Sequence, residues 1–325
     1  MESALISFPI FGDSYVLEIP SYVSIFGFKV YLYGLLITVG FVLATLYLYK
    51  RRNALELTRD NVLDMVIMAV PFGIIGARLY YAIFNPTYYF GPGNWLNIFK
   101  LREGGLAIYG GVIGGAVAYL IYSKVKKIPF GKLTDAACFG LFIGQSIGRW
   151  GNFFNREAFG VETNLPWRMG LTTFSGTVYV HPAFLYELLW NAVGFIILHF
   201  FSKKPRKYYG QFFLFYLAWY GLGRFFIEGI RSDSLYIYGT NIRVSQILAA
   251  LTFLAAVAIL IRNRVLDVRS PLKTEPDHGP IGEEAGSDPE DEELILEDGK
   301  SVPEEMELTA EDVEPLEEDV EDETM

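Results

Sequence analysis

Seven stretches of the chain run apolar for long enough to cross about 30 Å of hydrocarbon, a distance that takes roughly 20 helical residues. They fall at about 28–50, 61–84, 105–123, 133–154, 182–202, 210–230 and 243–262. Buried helices of a large soluble core can also be apolar all round. Seven in succession, joined by short polar segments, point instead to an all-α polytopic membrane protein with seven transmembrane helices. Residues 1–27 lack the basic start of a signal peptide and are interrupted by Pro9, Asp13, Glu18 and Pro20, so they read as a surface arm. The segment of about 155–181 is too long for a turn and reads as a small cap.

Composition changes this picture in one respect. The 325 residues are 52% apolar yet carry a formal net charge of −10. From Glu275 onward there are 23 Asp and Glu against one Lys, leaving a tail of −22 and a body of +12. A segment so acidic, with few large apolar side chains, cannot offset its chain entropy, and 266–325 is expected to be a disordered tail. The domain plan is therefore an arm (1–27), a membrane body (28–265) carrying the cap, and the tail.

Lys and Arg in alternate loops set the orientation. Sixteen follow spans one, three, five and seven, from Lys50 to Lys273, and seven lie on the opposite side. This puts the N-terminus and the cap outside and the C-terminal tail in the cytoplasm. Cys138 stands alone inside span four and reads as a small buried residue. No metal, nucleotide or nucleic-acid motif is present, and no cofactor is expected.

With directions assigned, the polar residues acquire depth. Tyr33 opens span one, Arg78 closes span two, and Tyr109 opens span three after Gly104 and Gly105. Arg149 and Asn152 end span four. His181, Tyr186 and Glu187 open span five, while Arg224, Glu228 and Arg231 close span six. All lie toward the outer face. An arginine at the bilayer centre costs about 2.5–3.5 kcal/mol, and one near a helix end can snorkel to the headgroups. Three arginines on different spans at one level, with Asn, Glu and Tyr, are better explained by an outer-leaflet cationic cavity. Arginine forks suit a phosphate. Asn152 and Asn155 would share a helix face, and Glu228 could brace Arg224 and Arg231. Gly111, Gly114 and Gly115 read as a close helix contact.

The segment Gly148–Gly160, "GRWGNFFNREAFG", resembles the signature of the prolipoprotein diacylglyceryl transferase family through Gly148, Arg149, Gly151, Asn152, Phe153, Asn155, Glu157 and Gly160. The likeness continues in "YLYG" (31–34), "GARLYY" (76–81), "REGGLAIYGG" (102–111), "HPAFLYE" (181–187) and "YGLGRFFIEGIR" (220–231), and covers residues 1–265 but not the tail. It implies seven transmembrane helices with the N-terminus outside, in a bacterial plasma membrane. It also implies transfer of the diacylglyceryl group of phosphatidylglycerol to the lipobox cysteine of a prolipoprotein, with release of glycerol phosphate.

On this resemblance Arg149 and Arg224 stabilise the leaving phosphate. Asn152, Asn155, Glu157 and Gly160 surround the headgroup, and Tyr33 lines the lipid cavity. Arg78, Gly104, Gly105, Glu228 and Arg231 belong to the substrate-binding set. The thiol must lose a proton, and here the chain departs from the pattern: Tyr109 stands where many members carry a histidine with the role of base. Tyr109 as a hydrogen-bonding participant, His181 as a second base, and the positive field alone all stay open. The expected partners are phosphatidylglycerol, prolipoproteins, membrane lipids and an unknown partner of the tail. The rival reading is a transporter or flippase of an anionic lipid, which would favour midplane polar residues and repeated halves; neither is evident in the sequence. A non-catalytic scaffold would not require the outer cluster.

Overall fold

A computed structural model describes residues 5–12, 15–91, 94–101, 104–173 and 176–270. Of the expected disordered tail, 266–270 are described, and Ser270 is hydrogen-bonded to Lys207 and Tyr209; 271–325 and the pair Arg102–Glu103 lie outside the described residues. Eight α-helices are described: α1 (Leu32–Arg51), α2 (Arg59–Phe84), the short α3 (Pro86–Phe90), α4 (Ile108–Lys126), α5 (Phe130–Asn155), α6 (Ala183–Phe201), α7 (Gln211–Glu228) and α8 (Val244–Val265). Five of them, α1, α2, α4, α6 and α8, are long and apolar enough to cross a membrane by length and composition. The chain is a mostly helical polytopic membrane protein.

α5 and α7 are long but more polar, holding Asp135, Gln145, Arg149 and Asn152 in one and Arg224 and Glu228 in the other. α5 runs through the interior, packed on α1, α6 and α7, so neighbouring helices rather than lipid receive its polar groups. Cys138 is buried there, its Sγ 3.0 Å from Asp135 O.

Six strands correct the expectation of an all-α chain: β1 (Leu5–Ser7), β2 (Val16–Glu18), β3 (Tyr22–Ile25), β4 (Phe28–Tyr31), β5 (Met169–Thr173) and β6 (Gly176–Val180). β3 and β4 form a hairpin leading into α1, so the first span begins at residue 32 instead of 28. The others make one antiparallel sheet in the order β2-β1-β5-β6, with Ile6 opposite both Leu17 and Leu171. The arm and the cap, expected as separate pieces, are thus one layer. Its buried face sets Ile6, Ile19, Met169 and Val180 on Phe153 of α5 and Phe184 of α6, whose rings lie 4.9 Å apart. Burying a side chain of this size contributes about 1.5–3 kcal/mol, which seats the sheet over the ends of α5 and α6.

Two close contacts fix the helices below. α2 crosses α4 at Gly76, Gly110 and Gly114, where a Cβ on any of them would overlap the facing backbone. Of the expected small face, Gly111 meets only ordinary contacts and Gly115 faces open space, so the crossing belongs to Gly110 and Gly114. Between α6 and α7 the indoles of Trp190 and Trp219 stack at 4.6 Å. Each Nε1 donates to the other residue's carbonyl at 2.9 Å.

Candidate active site

The last turns of α5 begin the site. Arg149 and Asn152 are three residues apart and share a face; Arg149 Nη1 donates to Asn152 Oδ1 at 2.9 Å. Asn152 Nδ2 donates to Glu157 Oε1 at 2.9 Å, and Asn155 Nδ2 reaches the same oxygen at 3.5 Å. Glu157 can turn back because the chain reverses at once after the helix. Arg156 and Ala158 both take left-handed backbone, with φ of 56° and 57°, at a cost of about 1–3 kcal/mol each. A hydrogen bond from Glu157 N to Asn152 O, 3.0 Å, closes the reversal.

Glu187, near the start of α6 and 3% exposed, joins this end of α5 to α7. Its Oε2 lies 2.5 Å from Arg149 Nη2. Its Oε1 accepts from Arg224 Nη1 and from Arg231 Nη1, both at 3.0 Å. Glu228 Oε2 sits 2.6 Å from Arg224 Nη2, one turn away on the same helix. Asp233 grips Arg231 with both oxygens, at 2.9 and 2.6 Å, and Arg243 Nη1 donates to Glu228 O at 2.8 Å. Buried charges persist only when paired and hydrogen-bonded, and this network supplies both.

The network revises the expected cationic cavity. Four arginines (149, 224, 231, 243) stand beside four acids (157, 187, 228, 233), so the formal charges balance. What the site offers an anion is directed donors. Of the five N–H groups on a guanidinium, Arg149 spends two, on Asn152 and Glu187, and its Nε is buried without a partner. Arg224 likewise makes two contacts, to Glu187 and Glu228.

Arg78 has the opposite geometry. All five of its donors go to backbone carbonyls: Nε to Ile98 (2.8 Å), Nη2 to Asn97 (2.7 Å) and Lys100 (2.8 Å), and Nη1 to Gly104 and to Gly105 (3.0 Å). The Tyr89 ring lies 4.9 Å from the same guanidinium. All five donors are engaged, so Arg78 braces the loop before α4. Gly104 and Gly105 belong to that loop, with φ of +83° and +74°. A Cβ on Gly105 would meet Arg78 Nη1 at 2.6 Å and Tyr89 OH at 2.8 Å.

The remaining expected residues divide in the same way. Tyr33 is partly exposed and its ring lies on Gly151 in the last turns of α5, where a Cβ would come within 2.5 Å of it. Tyr109 is 42% exposed, its ring 6.4 Å from that of Tyr80. Its hydroxyl makes no hydrogen bond among the described residues. Tyr109 opens α4 beside the Gly110 contact with α2. Gly160 is a close-approach position: its N–H donates to His181 O at 2.9 Å, and a Cβ would meet His181 Cβ at 2.6 Å and Ile230 O at 2.9 Å. His181 Nδ1 is 3.3 Å from Tyr186 OH, which accepts from Trp167 Nε1 at 2.7 Å. Both Gly160 and His181 tie the loop after α5 to the start of α6.

The sequence places Glu187 at this depth but gives it no role. An acid inside an otherwise apolar helix was the available signal. Arg243 carried none, because only the folded chain brings it to Glu228; Asp233, two residues from Arg231, was within reach of the same local reasoning that paired Glu228 with Arg224.

Comparison with known proteins decides what this arrangement belongs to. The family described as prolipoprotein diacylglyceryl transferase matches residues 20–262. The chain belongs to this family. Among its relatives, the phosphatidylglycerol–prolipoprotein diacylglyceryl transferase of Clostridioides difficile (strain 630) is 44% identical over 226 residues, 70% of this chain and 88% of the relative. Those of Finegoldia magna and Enterococcus faecalis are 40% and 42% identical over 250 residues each, covering 98% and 88% of the relatives. The matched region contains every helix named in the transferase site and stops before the tail.

Proposed function

We propose that the chain is a phosphatidylglycerol–prolipoprotein diacylglyceryl transferase, catalysing the first step of bacterial lipoprotein maturation. The observation that carries the site assignment is the meeting of Arg149 and Arg224, from separate helices, on Glu187, each guanidinium using two of its five N–H groups in the network. The relatives' names supply the reaction. In it, the thiolate of the lipobox cysteine attacks the glycerol carbon of phosphatidylglycerol. A carbon–sulfur bond forms, the carbon–oxygen bond to phosphate breaks, and glycerol phosphate leaves with the negative charge.

Arg149 and Arg224 hold the phosphate as that charge develops. Fixed donors in a site poor in water do this without reorganising during the reaction. Glu187 positions both guanidinium groups, and Glu228 and Arg231 complete the frame. Asn152, Asn155 and Glu157 bind the headgroup, with Tyr33 along the lipid. A crevice of about 10 Å³, too small for a phosphate, lies among Glu187, Trp190, Tyr220 and Arg224. An ordinary cysteine has a pKa near 8.5 and an ordinary phenol near 10, so Tyr109 serves better as a hydrogen-bond partner of the incoming thiol than as its sole base. Arginine donors close by favour the thiolate.

In this reading seven helices cross the plasma membrane. The N-terminus, the sheet and the site face the outer leaflet, and the acidic tail is cytoplasmic. The sheet of arm and cap is where the precursor's lipobox arrives. The test is transfer of labelled diacylglyceryl from phosphatidylglycerol to a lipobox peptide by the purified full chain in lipid, beside Arg149→Ala. Activity in the first and its loss in the second are expected. A folded wild type that transfers nothing would move the flippase reading to the front, and a near-normal Arg149→Ala would remove the role given to that residue.

A further inference from the structure

At the opposite end of the helices from Glu187 lies a second polar cavity, of about 510 Å³. Tyr33 and Arg51 mark the two ends of α1, separated by about 27 Å at 1.5 Å per residue. The cavity is formed where α1 ends and where α6 passes into α7, and Arg51, Ser202, Lys203, Lys204, Arg206 and Glu56 line it. Its volume falls in the range of about 300–1,000 Å³ typical of small-ligand sites.

The charges in it are unevenly committed. Arg206, 5% exposed, makes three contacts: Nη1 donates to Asp135 Oδ2 at 3.2 Å, and Nη2 contacts Leu55 O at 3.1 Å and Glu56 Oε1 at 3.0 Å. Tyr209 OH donates to the other oxygen of Glu56 at 3.0 Å, and Lys132 Nζ lies 3.7 Å from that oxygen. The lining acid is thus already neutralised, and Arg206 serves as a rigid floor. Arg51 is committed less: Nη2 donates to Ser202 Oγ at 2.9 Å, and the residue lines the cavity. Lys203 leans on the Phe200 ring at 4.8 Å, and neither it nor Lys204 forms an ion pair among the described residues. The last carbonyls of α6 do not hold these lysines by default, because the backbone N–H groups of 202, 203 and 204 already cap Leu198, Phe200 and Phe201.

We propose that this cavity binds a phosphate group, with the Arg51 fork and the Lys203 and Lys204 ammonium groups as its donors. A fork beside two mobile ammonium groups is the donor set that phosphate oxygens accept, and basic pockets between membrane helices take anionic headgroups. The phosphate can come from an anionic lipid of the adjoining leaflet or from a soluble phosphate ester. Nothing in this site depends on the transferase assignment.

The chain has one cysteine, Cys138, and it is buried. Ala54→Cys therefore places a reporter thiol in the cavity wall, and Val265→Cys, at the exposed end of α8, reports any general effect of the bilayer. Each full-length variant is labelled with a neutral maleimide in nanodiscs of zwitterionic lipid, in nanodiscs containing phosphatidylglycerol, and in zwitterionic nanodiscs with glycerol 3-phosphate. The binding expected here slows the cavity reporter at least threefold relative to Val265→Cys. Adding Lys203→Gln and Lys204→Gln removes that protection and leaves diacylglyceryl transfer, which confirms folding, within twofold. Protection by phosphatidylglycerol alone assigns the lipid source, and protection by glycerol 3-phosphate the soluble one. Equal labelling in all three conditions, or protection that survives the double substitution, overturns the proposal.

Discussion

Glu187 Oε2 lies 2.5 Å from Arg149 Nη2, so an acid near the start of α6 holds an arginine near the end of α5, where the polar signature begins. The other oxygen of the same carboxylate takes Arg224 and Arg231. One side chain thereby sets the spacing of all three guanidinium groups. Glu187→Gln keeps the shape but removes the charge. It is expected to lower transfer by about 10²-fold, the scale of losing one preorganised electrostatic contact, with the protein still folded in the membrane. Glu187→Asp should recover part of that loss. Full activity in Glu187→Gln, measured with labelled phosphatidylglycerol, would mean that Arg149 and Arg224 are positioned by something else.

Arg78 and Arg149 look alike in the sequence and should fail differently. Arg149→Ala is expected to remove activity with little change in thermal midpoint. Arg78→Ala strands five carbonyls, each costing about 1–3 kcal/mol if buried without a donor, and should lower the midpoint sharply. Arg78→Lys should not rescue it, since an ammonium has three donors for five acceptors. Comparable stability in Arg78→Ala and wild type would contradict the clamp.

Tyr109→Phe removes only a hydroxyl that is unpartnered among the described residues, so stability should not change. A fall in transfer of 10-fold or more, with binding of phosphatidylglycerol retained, is the expected result. Unchanged turnover would send the search for the proton acceptor to another residue.

The stacked pair Trp190 and Trp219 lies one turn below Glu187 and beside Arg224, and Gly194 and Gly223 lie under the two rings. A Cβ on Gly223 would overlap the Trp190 indole. Gly223→Ala should separate α6 from α7 and break the Glu187–Arg224 bond without touching a charged group. Lower transfer and a lower melting midpoint together are expected, and a shift in neither would show that the helices have slack.

Asp233 gives a pH signature. Burial alone would raise its carboxyl, but the Arg231 hydrogen bonds and charge outweigh this and hold it below the ordinary carboxylate value. A depressed carboxyl contributes stability that is fully present above its unfolded pKa, about 3.9, and lost as pH falls through the lower folded value. Between pH 5 and 8 the pair should therefore leave the melting midpoint flat. Asp233→Asn should lower the midpoint across that window and shrink the gap to wild type only below pH 4. A gap that changes between pH 5 and 8 would rule out this pair as its source.

Much of this protein was determined by the order of its side chains. Apolar runs of about 20 residues have few stable arrangements outside a bilayer, so the helices were legible, and so was the grouping of Arg149, Arg224, Glu228 and Arg231 near the ends of theirs. The signature around Asn152 identified the family for the same local reason: its residues lie within one helix end and the turn after it. Tertiary structure decided the rest. Short strands such as Leu5–Ser7 acquire meaning only from a partner some 165 residues away, which is why the arm and cap read as separate segments. Arg78 and Arg149 each stand six residues before the end of a helix, and only the carbonyls of 97–105 around one, and Glu187 beside the other, separate a loop clamp from an arginine held on a carboxylate. A guanidinium's role depends on how many of its five donors the fold has already used, and that number is a property of distant neighbours rather than of the residue itself.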